Sequence, residues 1–458
     1  MPISPRSKKL LMHLIGAGTW SLGIGATAQN IETTALERQA NDAFQQVLRQ
    51  PQDLAGWSRY AQLMVEAGNY EGGIAALERL LLQPQASPDL RVDIAALYYR
   101  LGSYTAAEAM LDTALADSRL QGDKRAFAIA LLADVRMRGQ RSQLQGAATL
   151  GWRHQSNPTY RSDAAQVLSA GELFPLPSEQ RPAADNDLNA GLRLSHRYDL
   201  ERQNGAALVS HLGAYLVNYR SSSGRTLVAG DNKPYDLQLL DFNSGVEFKP
   251  LPGTVGGLTL RPHVIASNVV AKGHQYLRNL GLGLDLTLRT DERTLYEFSV
   301  NGVRRDFAKR IDVADAHLQD GHLYSAYARV SRELAAGRVL VGEYTVRRST
   351  AQRAQYDFDA HELRGSYALT YRGPWPAGTY WTTVLWAGVL YRSYDAADPA
   401  ISATAHKDRE WRAGVHQSIP LAPLWSILLS AEHARNRANL PNYRYKNTSI
   451  SATVVRSF

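Results

Sequence analysis

The sequence contains no cysteine, which excludes disulfide bonds, thiolate metal ligands and a cysteine nucleophile. Beyond the N-terminal stretch, no eighteen consecutive residues are apolar, so no membrane-spanning helix is expected. Basic and acidic side chains are interleaved at a formal net charge of +8. Because there is neither a Lys/Arg-rich run nor a recognisable nucleic-acid-binding motif, no nucleic-acid partner is predicted.

Motifs for catalysis are missing as well. No His-Glu-x-x-His, Gly-x-Ser-x-Gly or P-loop spacing occurs, although the chain has 12 histidines. Ser195-His196 and Ser210-His211 are adjacent pairs, whose side chains point to opposite faces of a strand and cannot form a dyad with each other. The sequence therefore predicts no enzyme, no catalytic residue, no cofactor and no metal site.

The N-terminus has the layout of a secretory signal peptide. A basic segment at residues 6–9 precedes a moderately apolar stretch at 10–24, and Ala26-Thr27-Ala28 offers a small-x-small cleavage site. The apolar stretch contains His13 and is too short for a membrane anchor helix. Residues 1–28 are therefore predicted to be removed on export.

A segment from residue 33 to residue 140 is rich in Ala, Leu, Glu, Gln and Arg at helical spacing. Within it, Gly68-Asn69-Tyr70 recurs as Gly102-Ser103-Tyr104, a shift of 34 residues, and Ala61 falls on Ala95 under the same shift. This is the period of the tetratricopeptide repeat (TPR), a helix–turn–helix unit, and the segment resembles that family. The predicted packing positions are Trp57, Leu63, Gly68, Tyr70, Ala75, Leu97, Gly102, Tyr104 and Ala109.

Small residues in such a repeat let two helices approach closely, and glycine allows the tight turn between them. One hairpin cannot bury its apolar face alone, so neighbouring hairpins must stack. The resemblance implies a concave face that binds peptides or partner proteins. An unrelated array of helical hairpins with the same role also fits the pattern.

From about residue 145 onward, apolar and polar residues alternate with a period of two, which indicates β-strands. The clearest case runs from Leu280 to Leu288, where every second residue is leucine. Alternation alone fits both a soluble sandwich and a membrane barrel. The candidate strands, roughly 10–16 residues long, exceed the usual soluble length and can cross a bilayer at a tilt. Aromatic residues near their ends, among them Tyr219, Tyr391 and Tyr394, suggest interfacial girdles.

Fourteen candidate strands can be placed between residues 145 and 458, an even number as in bacterial single-chain barrels. Every second connection is a tight turn and most of the others are longer, which is the rhythm of short periplasmic turns and long outer loops. The predicted fold class is therefore α+β with two domains. A TPR-like α-solenoid at 33–140 precedes a fourteen-stranded antiparallel transmembrane β-barrel at 145–458, with the helical domain in the periplasm.

The predicted register turns polar side chains of both signs into the barrel interior. Charges on adjacent strands can pair across the lumen and keep it wet, so most of them are interpreted as structural rather than as a substrate track. The lumen-facing candidates are Arg193, Arg197, Asp285, Glu297, Arg305, Glu343, Arg347, Glu362, Arg364, Glu410, Arg412 and Glu432.

The last candidate strand carries Ile450, Ala452 and Val454 on one side and ends in Phe458. A strand with one apolar face and a terminal aromatic resembles the closing strand of bacterial outer-membrane barrels, although a soluble edge strand can look similar. In those barrels the closing strand is what the insertion machinery reads. These four residues are therefore the predicted insertion signal, and the barrel-assembly machinery and outer-membrane lipid are predicted partners.

The order of signal peptide, short TPR segment and fourteen strands ending in Phe458 resembles the surface lipoprotein assembly modifier family over nearly the full length. The resemblance implies a translocon that helps lipoproteins or secreted proteins reach the cell surface, with the periplasmic helices engaging the client or a chaperone. In one respect the sequence departs from that family, because the helical segment holds only about three hairpins of sequence, which leaves less surface for client binding. An exopolysaccharide-export porin with a periplasmic TPR scaffold and a passive solute porin are the alternatives.

Overall fold

The computed structural model describes residues 26–84, 86–202, 204–222, 233–251, 257–291, 293–311, 315–376 and 378–458, with side chains from residue 38 onward. Apart from residues 26–28, the predicted signal peptide lies outside the described residues and stays a prediction. The chain forms two compact units that divide between Gln140 and Arg141. Among the described residues, no helix is both long and apolar enough to cross a membrane.

The described part of the first unit consists of helices. They are α1 (Ala26–Arg49), α2 (Leu54–Glu66), α3 (Tyr70–Leu81), α4 (Pro88–Arg100), α5 (Tyr104–Ala116) and α6 (Gly122–Gly139). Three of the helices begin at a polar residue whose side chain accepts a backbone N–H hydrogen bond: Asp53 from Gly56 at 3.0 Å, Asn69 from Gly72 at 2.9 Å, and Ser87 from Asp89 at 3.3 Å. Such caps satisfy N–H groups that have no partner within the helix.

The turns from α2 to α3 and from α4 to α5 are equivalent. Gly68 and Gly102 have φ of +80° and +74°, the left-handed conformation that favours glycine. After Gly68, the N–H of Asn69 donates to the carbonyl of Met64 at 2.8 Å, and after Gly102 the N–H of Ser103 donates to Tyr98 at 2.9 Å. This is the Schellman arrangement of a helix C-terminus. Two successive equivalent hairpins are consistent with the TPR family. The assignment to that family stays a prediction.

The helical core is made by small and aliphatic residues. A larger cluster includes Val92, Ala107, Leu111 and Leu132, and a smaller one consists of Ile74, Ile94 and Leu97. Fully burying one leucine side chain contributes about 2 kcal/mol. Stacking of successive hairpins therefore provides the stability that a single hairpin lacks.

Two of the predicted packing residues lie elsewhere than expected. Ala75 and Ala109 are on exposed faces of α3 and α5, whereas Gly73 and its 34-residue equivalent Ala107 are buried. A Cβ added at Gly73 would lie 2.8 Å from a methyl group of Val65. In the hairpin of α2 and α3, the close approach is therefore at Gly73, and the equivalent buried position in the hairpin of α4 and α5 is Ala107. The helices are rotated relative to the packing face that the sequence predicted.

The second unit is a β structure. Its strands are β1 (Ser142–Gln155), β2 (Gln166–Ser169), β3 (Glu172–Pro175), β4 (Asp185–Asp199), β5 (Ala207–Tyr219), β6 (Leu237–Glu247), β7 (Leu258–Ala271), β8 (His274–Arg289), β9 (Thr294–Phe307), β10 (Gly321–Ala335), β11 (Arg338–Ala351), β12 (Phe358–Arg372), β13 (Tyr380–Tyr394), β14 (Lys407–Ala422), β15 (Trp425–Ala438) and β16 (Tyr445–Ser457). Strands β1 and β4–β16 pair in antiparallel order, and β1 also pairs with β16. The predicted closed barrel of fourteen antiparallel strands is confirmed.

The two ends of the barrel differ in their connections. At one end the connections are short, such as 290–293, 336–337 and 423–424; this is the short-turn end, and β1 begins and β16 ends there. At the opposite end, the long-connection end, most segments are longer, such as 156–184 and 395–406. One connection departs from that expectation, since only Lys272 and Gly273 join β7 to β8.

Strands β2 and β3 form a separate two-stranded hairpin inside the first long connection, which the sequence did not predict. The hairpin is held by other connections of the same end. The side chain of Asn442 accepts a hydrogen bond from the N–H of Leu168 and donates one to its carbonyl, both at 2.9 Å. The N–H groups of Ala170 and Gly171 donate to the carbonyls of Ala400 and Ile401.

The apolar face of the barrel wall points outward. Leu280 and Leu282 are 68% and 67% exposed, while Asn279 and Asp285 of the same strand lie on the opposite, inner face. An exposed apolar band with a polar interior is the pattern of a barrel whose outer surface meets lipid. Tyr391 lies on the outer face, as a girdle residue would. Tyr219 and Tyr394 do not, because each is an even number of residues away from an inward-facing residue of its own strand and therefore lies on the inner face.

Candidate functional site

The candidate functional site is the inner wall of the barrel. Residues directly opposite each other in an antiparallel pair share one face of the sheet. Followed from the exposed leucines through all strand pairs, this register places all twelve lumen-facing candidates on the inner face. Among the described residues, no cluster of His, Asp or Glu could hold a metal ion.

Four of the inner charges form a chain across adjacent strands, which we call the charge ladder: Glu297 on β9, Arg329 on β10, Glu343 on β11 and Arg364 on β12. Each residue is directly opposite the next. Arg329 lies 3.3 Å from Glu297 and 3.6 Å from Glu343, and Arg364 lies 3.8 Å from Glu343. Opposite charges at directly paired positions stabilise a sheet.

Beside the charge ladder, other inner charges are also paired. Arg347 donates to Glu362 at 2.9 Å, and Arg261 donates to Asp285 at 2.8 Å. Arg197 forms an ion pair with Glu247 at 2.5 Å. Candidates of both signs are thus engaged with neighbours on the wall, so the interior is polar but locally neutralised.

A buried network at the start of the barrel was missed by the sequence reasoning. The side chain of Asp187 is fully buried and accepts a hydrogen bond from Arg153 at 2.8 Å. Gln155 and Asn189 also donate to Asp187, at 3.3 Å and 3.0 Å. Asp187 and Arg193 are both odd-numbered residues of β4 and therefore lie on the same face of the strand. Strict alternation along β4 would have predicted that Asp187 also faces inward.

A second network lies near the long-connection end. Asp408 accepts hydrogen bonds from His406 at 2.8 Å and from the side chain of Asn436 at 2.7 Å. The His406 ring is stacked between Tyr394 and Tyr443, with centroid distances of 4.7 Å and 3.6 Å. Burial in this stack raises the pKa of Tyr443, which lies in the connection before β16, to about 12. The aromatic stack and the carboxylate together fix the connection at 439–444 to the barrel rim.

The inner wall also holds a cavity of about 250 Å³. It is lined among others by Glu362, Arg364, Trp386, Arg412 and His416. The Arg364 guanidinium lies 4.2 Å from the centroid of the Trp386 ring, and that ring is stacked on His416. Because both signs of charge line the cavity, it suits water or a polar group rather than an apolar ligand.

The seam between β1 and β16 involves the predicted insertion signal. Ile450, Ala452 and Val454 lie on the outer face. Gly146 and Phe458 exchange two backbone hydrogen bonds, of 2.9 Å and 3.0 Å. A Cβ added at Gly146 would lie 2.5 Å from the Phe458 ring, so glycine leaves the space that the aromatic ring occupies.

In the helical unit, polar contacts of tyrosines join neighbouring helices. The Tyr98 hydroxyl donates to Glu78 of α3 at 2.9 Å, and the Tyr99 hydroxyl donates to Asp134 of α6. Burial, together with the hydrogen bond to Asp134, raises the pKa of Tyr99 to about 12. These contacts hold the stack in register in addition to its apolar core.

An open groove of about 630 Å³ lies where α2, α3 and α4 come together, and it is the candidate binding surface of the helical unit. It is lined by Leu54, Leu80, Gln83, Pro84, Ala86, Ser87 and Leu90. Of the predicted packing residues, Trp57 donates from its indole to the Pro51 carbonyl at 3.1 Å, and Tyr70 and Tyr104 contact the two core clusters. Leu63 is half-buried.

Comparison with protein families finds that a model described as Surface lipoprotein assembly modifier matches residues 215–458. Among solved structures, the TodX monoaromatic hydrocarbon channel (deltaS2 mutant) is similar at 12% identity, with a TM-score of 0.37, covering 69% of this chain and 90% of that one. Pseudomonas aeruginosa OpdQ is similar at 10% identity and a TM-score of 0.30, covering 70% and 99%. Acinetobacter baumannii OccAB2 is similar at 12% identity and a TM-score of 0.32, covering 69% and 98%. Comparison with curated proteins gives no match.

Proposed function

Since this chain belongs to the surface lipoprotein assembly modifier family and its barrel is of the outer-membrane type, we propose that it is a translocon assisting the delivery of lipoproteins or secreted proteins to the cell surface. The observation that carries the proposal is the family match, which begins within β5 and continues through β16. The translocon differs from a solute porin in having a helical unit that can select a client before it reaches the barrel.

The connections support an orientation of the barrel in the membrane. Barrels of this kind place short turns in the periplasm and long loops outside. The short-turn end is therefore assigned to the periplasm and the β2–β3 hairpin to the cell exterior. Because the helical unit precedes β1 in the chain and β1 begins at the short-turn end, the helical unit belongs in the periplasm.

The inner wall favours a protein client over a charged polymer. The lumen-facing candidates comprise six arginines and six carboxylates, and the charge ladder alternates in sign from strand to strand. A polymer carrying one sign of charge is guided by a wall of the opposite sign, and this wall has none. A folded or extended polypeptide carries both signs and meets no net repulsion here.

Client binding is assigned to the groove of the helical unit. Its lining is largely aliphatic and includes Leu54, which is 42% exposed. Exposed apolar side chains beside a concave surface are typical of sites that bind peptides or partner proteins. The barrel-assembly machinery is the partner proposed for insertion of the chain itself.

The test is deletion of the chain in its own bacterium, followed by protease shaving of intact cells and quantitative mass spectrometry of the released peptides. Translocation predicts that peptides of specific lipoproteins or secreted proteins disappear from the surface fraction, while their total cellular amount stays unchanged. Expression of the full chain from a plasmid restores the surface peptides.

The opposite pattern contradicts the proposal. If the surface peptides are unchanged and an extracellular polysaccharide is lost instead, the chain exports polymer. If both are unchanged and only the uptake of a small solute falls, the chain is a porin.

A further inference from the structure

Five basic residues lie together on the outer face of β14–β16 near the long-connection end. They are Lys407 and Arg409 on β14, Arg435 and Arg437 on β15, and Lys446 on β16, and all five are exposed. We call them the outer basic patch. They alternate with the inward-facing Asp408, Asn436 and Asn447, so the strand register, rather than a flexible loop, sets their direction.

The register brings like charges directly opposite each other. Arg409 is paired with Arg437, and Arg435 is paired with Lys446. Like charges at directly opposed positions destabilise a sheet. The arrangement is therefore unfavourable unless an anion lies between the cations.

The chain itself supplies little negative charge at this place. The three carboxylates of β14–β16, Asp408, Glu410 and Glu432, all face inward. Within the described residues, the patch has one ion pair with a carboxylate, between Lys446 and Asp163 at 3.6 Å.

An outward arginine on another strand shows the contrast. Arg348 on β11 also faces outward, and it is bound by two carboxylates, Asp359 at 3.0 Å and Asp395. In the described part of the chain, Arg435 and Arg437 have no such carboxylate partner. Arg435 and Arg437 therefore differ from Arg348 in lacking a carboxylate partner among the described residues.

The position of the patch relative to the apolar band fits a lipid headgroup. On β15 the outer face carries Ile427, Leu429 and Ala431, then His433, which hydrogen-bonds Thr448, and then Arg435. Trp411 lies directly opposite Arg435 and is 47% exposed, as aromatic residues at a membrane interface are. The cations thus begin where the apolar band ends, at the depth of phosphate groups.

We propose that the outer basic patch is a binding site for a phosphorylated lipid of the membrane leaflet at the long-connection end. Arginine forms paired hydrogen bonds with phosphate oxygens, and it does so more specifically than lysine. Arg435 and Arg437 stand two residues apart on one strand, roughly 7 Å, so a headgroup with two phosphates can engage both cation pairs. Acyl chains of the same molecule would lie on the apolar band below, which a free phosphate ion cannot use.

The experiment uses the full chain, purified and delipidated in detergent, with binding measured by native mass spectrometry. The probes are a bisphosphorylated glucosamine-disaccharide lipid, the same lipid without phosphates, and inorganic phosphate. The double variant Arg435→Gln/Arg437→Gln is compared with the control Arg304→Gln/Arg456→Gln, which removes the same charge from outward positions outside the patch. A second test variant, Lys446→Gln, removes one cation of the patch.

Removing the two arginines is expected to raise the Kd for the bisphosphorylated lipid about thirtyfold, from about 1 kcal/mol for each cation at a membrane surface. Lys446→Gln is expected to raise the Kd about fivefold on the same basis, and the control double variant leaves it unchanged. Equal weakening in the test and control variants would mean unspecific charge attraction and would overturn the site. Equal binding of the dephosphorylated lipid would overturn the role of phosphate, and displacement by inorganic phosphate at the lipid's own concentration would overturn the lipid as the ligand.

Discussion

Single residues decide the geometry of the helical hairpins, and Gly102 is the clearest case. Its φ of +74° lies in the left-handed region, and a Cβ added there would meet nothing within 4 Å. A substitution at this position therefore changes backbone strain and leaves packing untouched. Gly68 has the same conformation in the preceding hairpin.

The substitution Gly102→Ala is expected to lower the free energy of unfolding of the helical unit by about 1–2 kcal/mol, because an L-residue is strained in this conformation. Urea titration of the full chain in detergent, followed by helical circular dichroism at 222 nm, measures the effect. Gly139→Ala is the matched control, since Gly139 ends α6 without a positive φ. Equal destabilisation by both substitutions would contradict the strain argument.

At this scale the sequence predicted the turns better than the packing faces. The repetition of Gly68 and Gly102 at a 34-residue shift identifies equivalent positions, and the structure gives both the same turn. The same shift also aligned Ala75 with Ala109, yet these are exposed and the close approach is at Gly73 and Ala107. Repetition determines which residues correspond, but the rotation of each helix depends on contacts with its neighbours.

At the scale of the strands, alternation was sufficient to predict the barrel. The period of two determines the outer and inner faces, and tight turns make successive strands neighbours, so strand order followed without long-range information. The β2–β3 hairpin was not predictable in this way. Its strands have four residues each, and it is held by two hydrogen bonds between Leu168 and the side chain of Asn442, 274 residues away in the sequence.

Two aromatic residues show that a position near the end of a strand does not predict which face of the barrel a side chain lies on. Tyr219 and Tyr394 were assigned to the membrane girdle because they lie near strand ends. Their parity turns them inward instead, where Tyr219 accepts a hydrogen bond from Gln155 and Tyr394 stacks on His406. For a barrel strand, parity outweighs position along the strand.

Asp187 on β4 is expected to contribute strongly to the stability of the barrel. Asp187→Asn leaves the Arg153 guanidinium without its carboxylate in a buried site and should cost about 3 kcal/mol. Urea titration of the purified barrel protein, followed by tryptophan fluorescence, measures the loss. Asp306→Asn is the control, because Asp306 forms an exposed outward ion pair with Arg304 that contributes less than about 1 kcal/mol. A loss for Asp187→Asn no larger than for Asp306→Asn would show that the buried pair is dispensable.

At the scale of the whole molecule, the proposed function requires both units to serve one task. If the helical groove selects the client and the barrel passes it on, as proposed, a defect in the groove should leave insertion of the barrel intact. This separates a defect in client binding from a defect in assembly.

Leu54→Gln is expected to reduce the surface display of the client protein while the amount of barrel in the outer membrane stays unchanged. The reason is that Leu54 lines the groove but belongs to neither core cluster. Leu101→Gln is the matched control, since Leu101 is exposed to a similar extent outside the groove. Protease shaving measures display, and membrane fractionation measures insertion. If the two variants behave alike, the groove does not bind the client.

The pairing of β1 with β16 has a consequence for how the molecule is made. Ser156 and Asn447, which hydrogen-bond across this seam, are 291 residues apart. The edge of β1 that pairs with β16 therefore has no partner until thirteen further wall strands have been made. A bare edge invites association with other chains, and such distant encounters are slow. The barrel can accordingly close only once the last strand of its wall, β16, has been made.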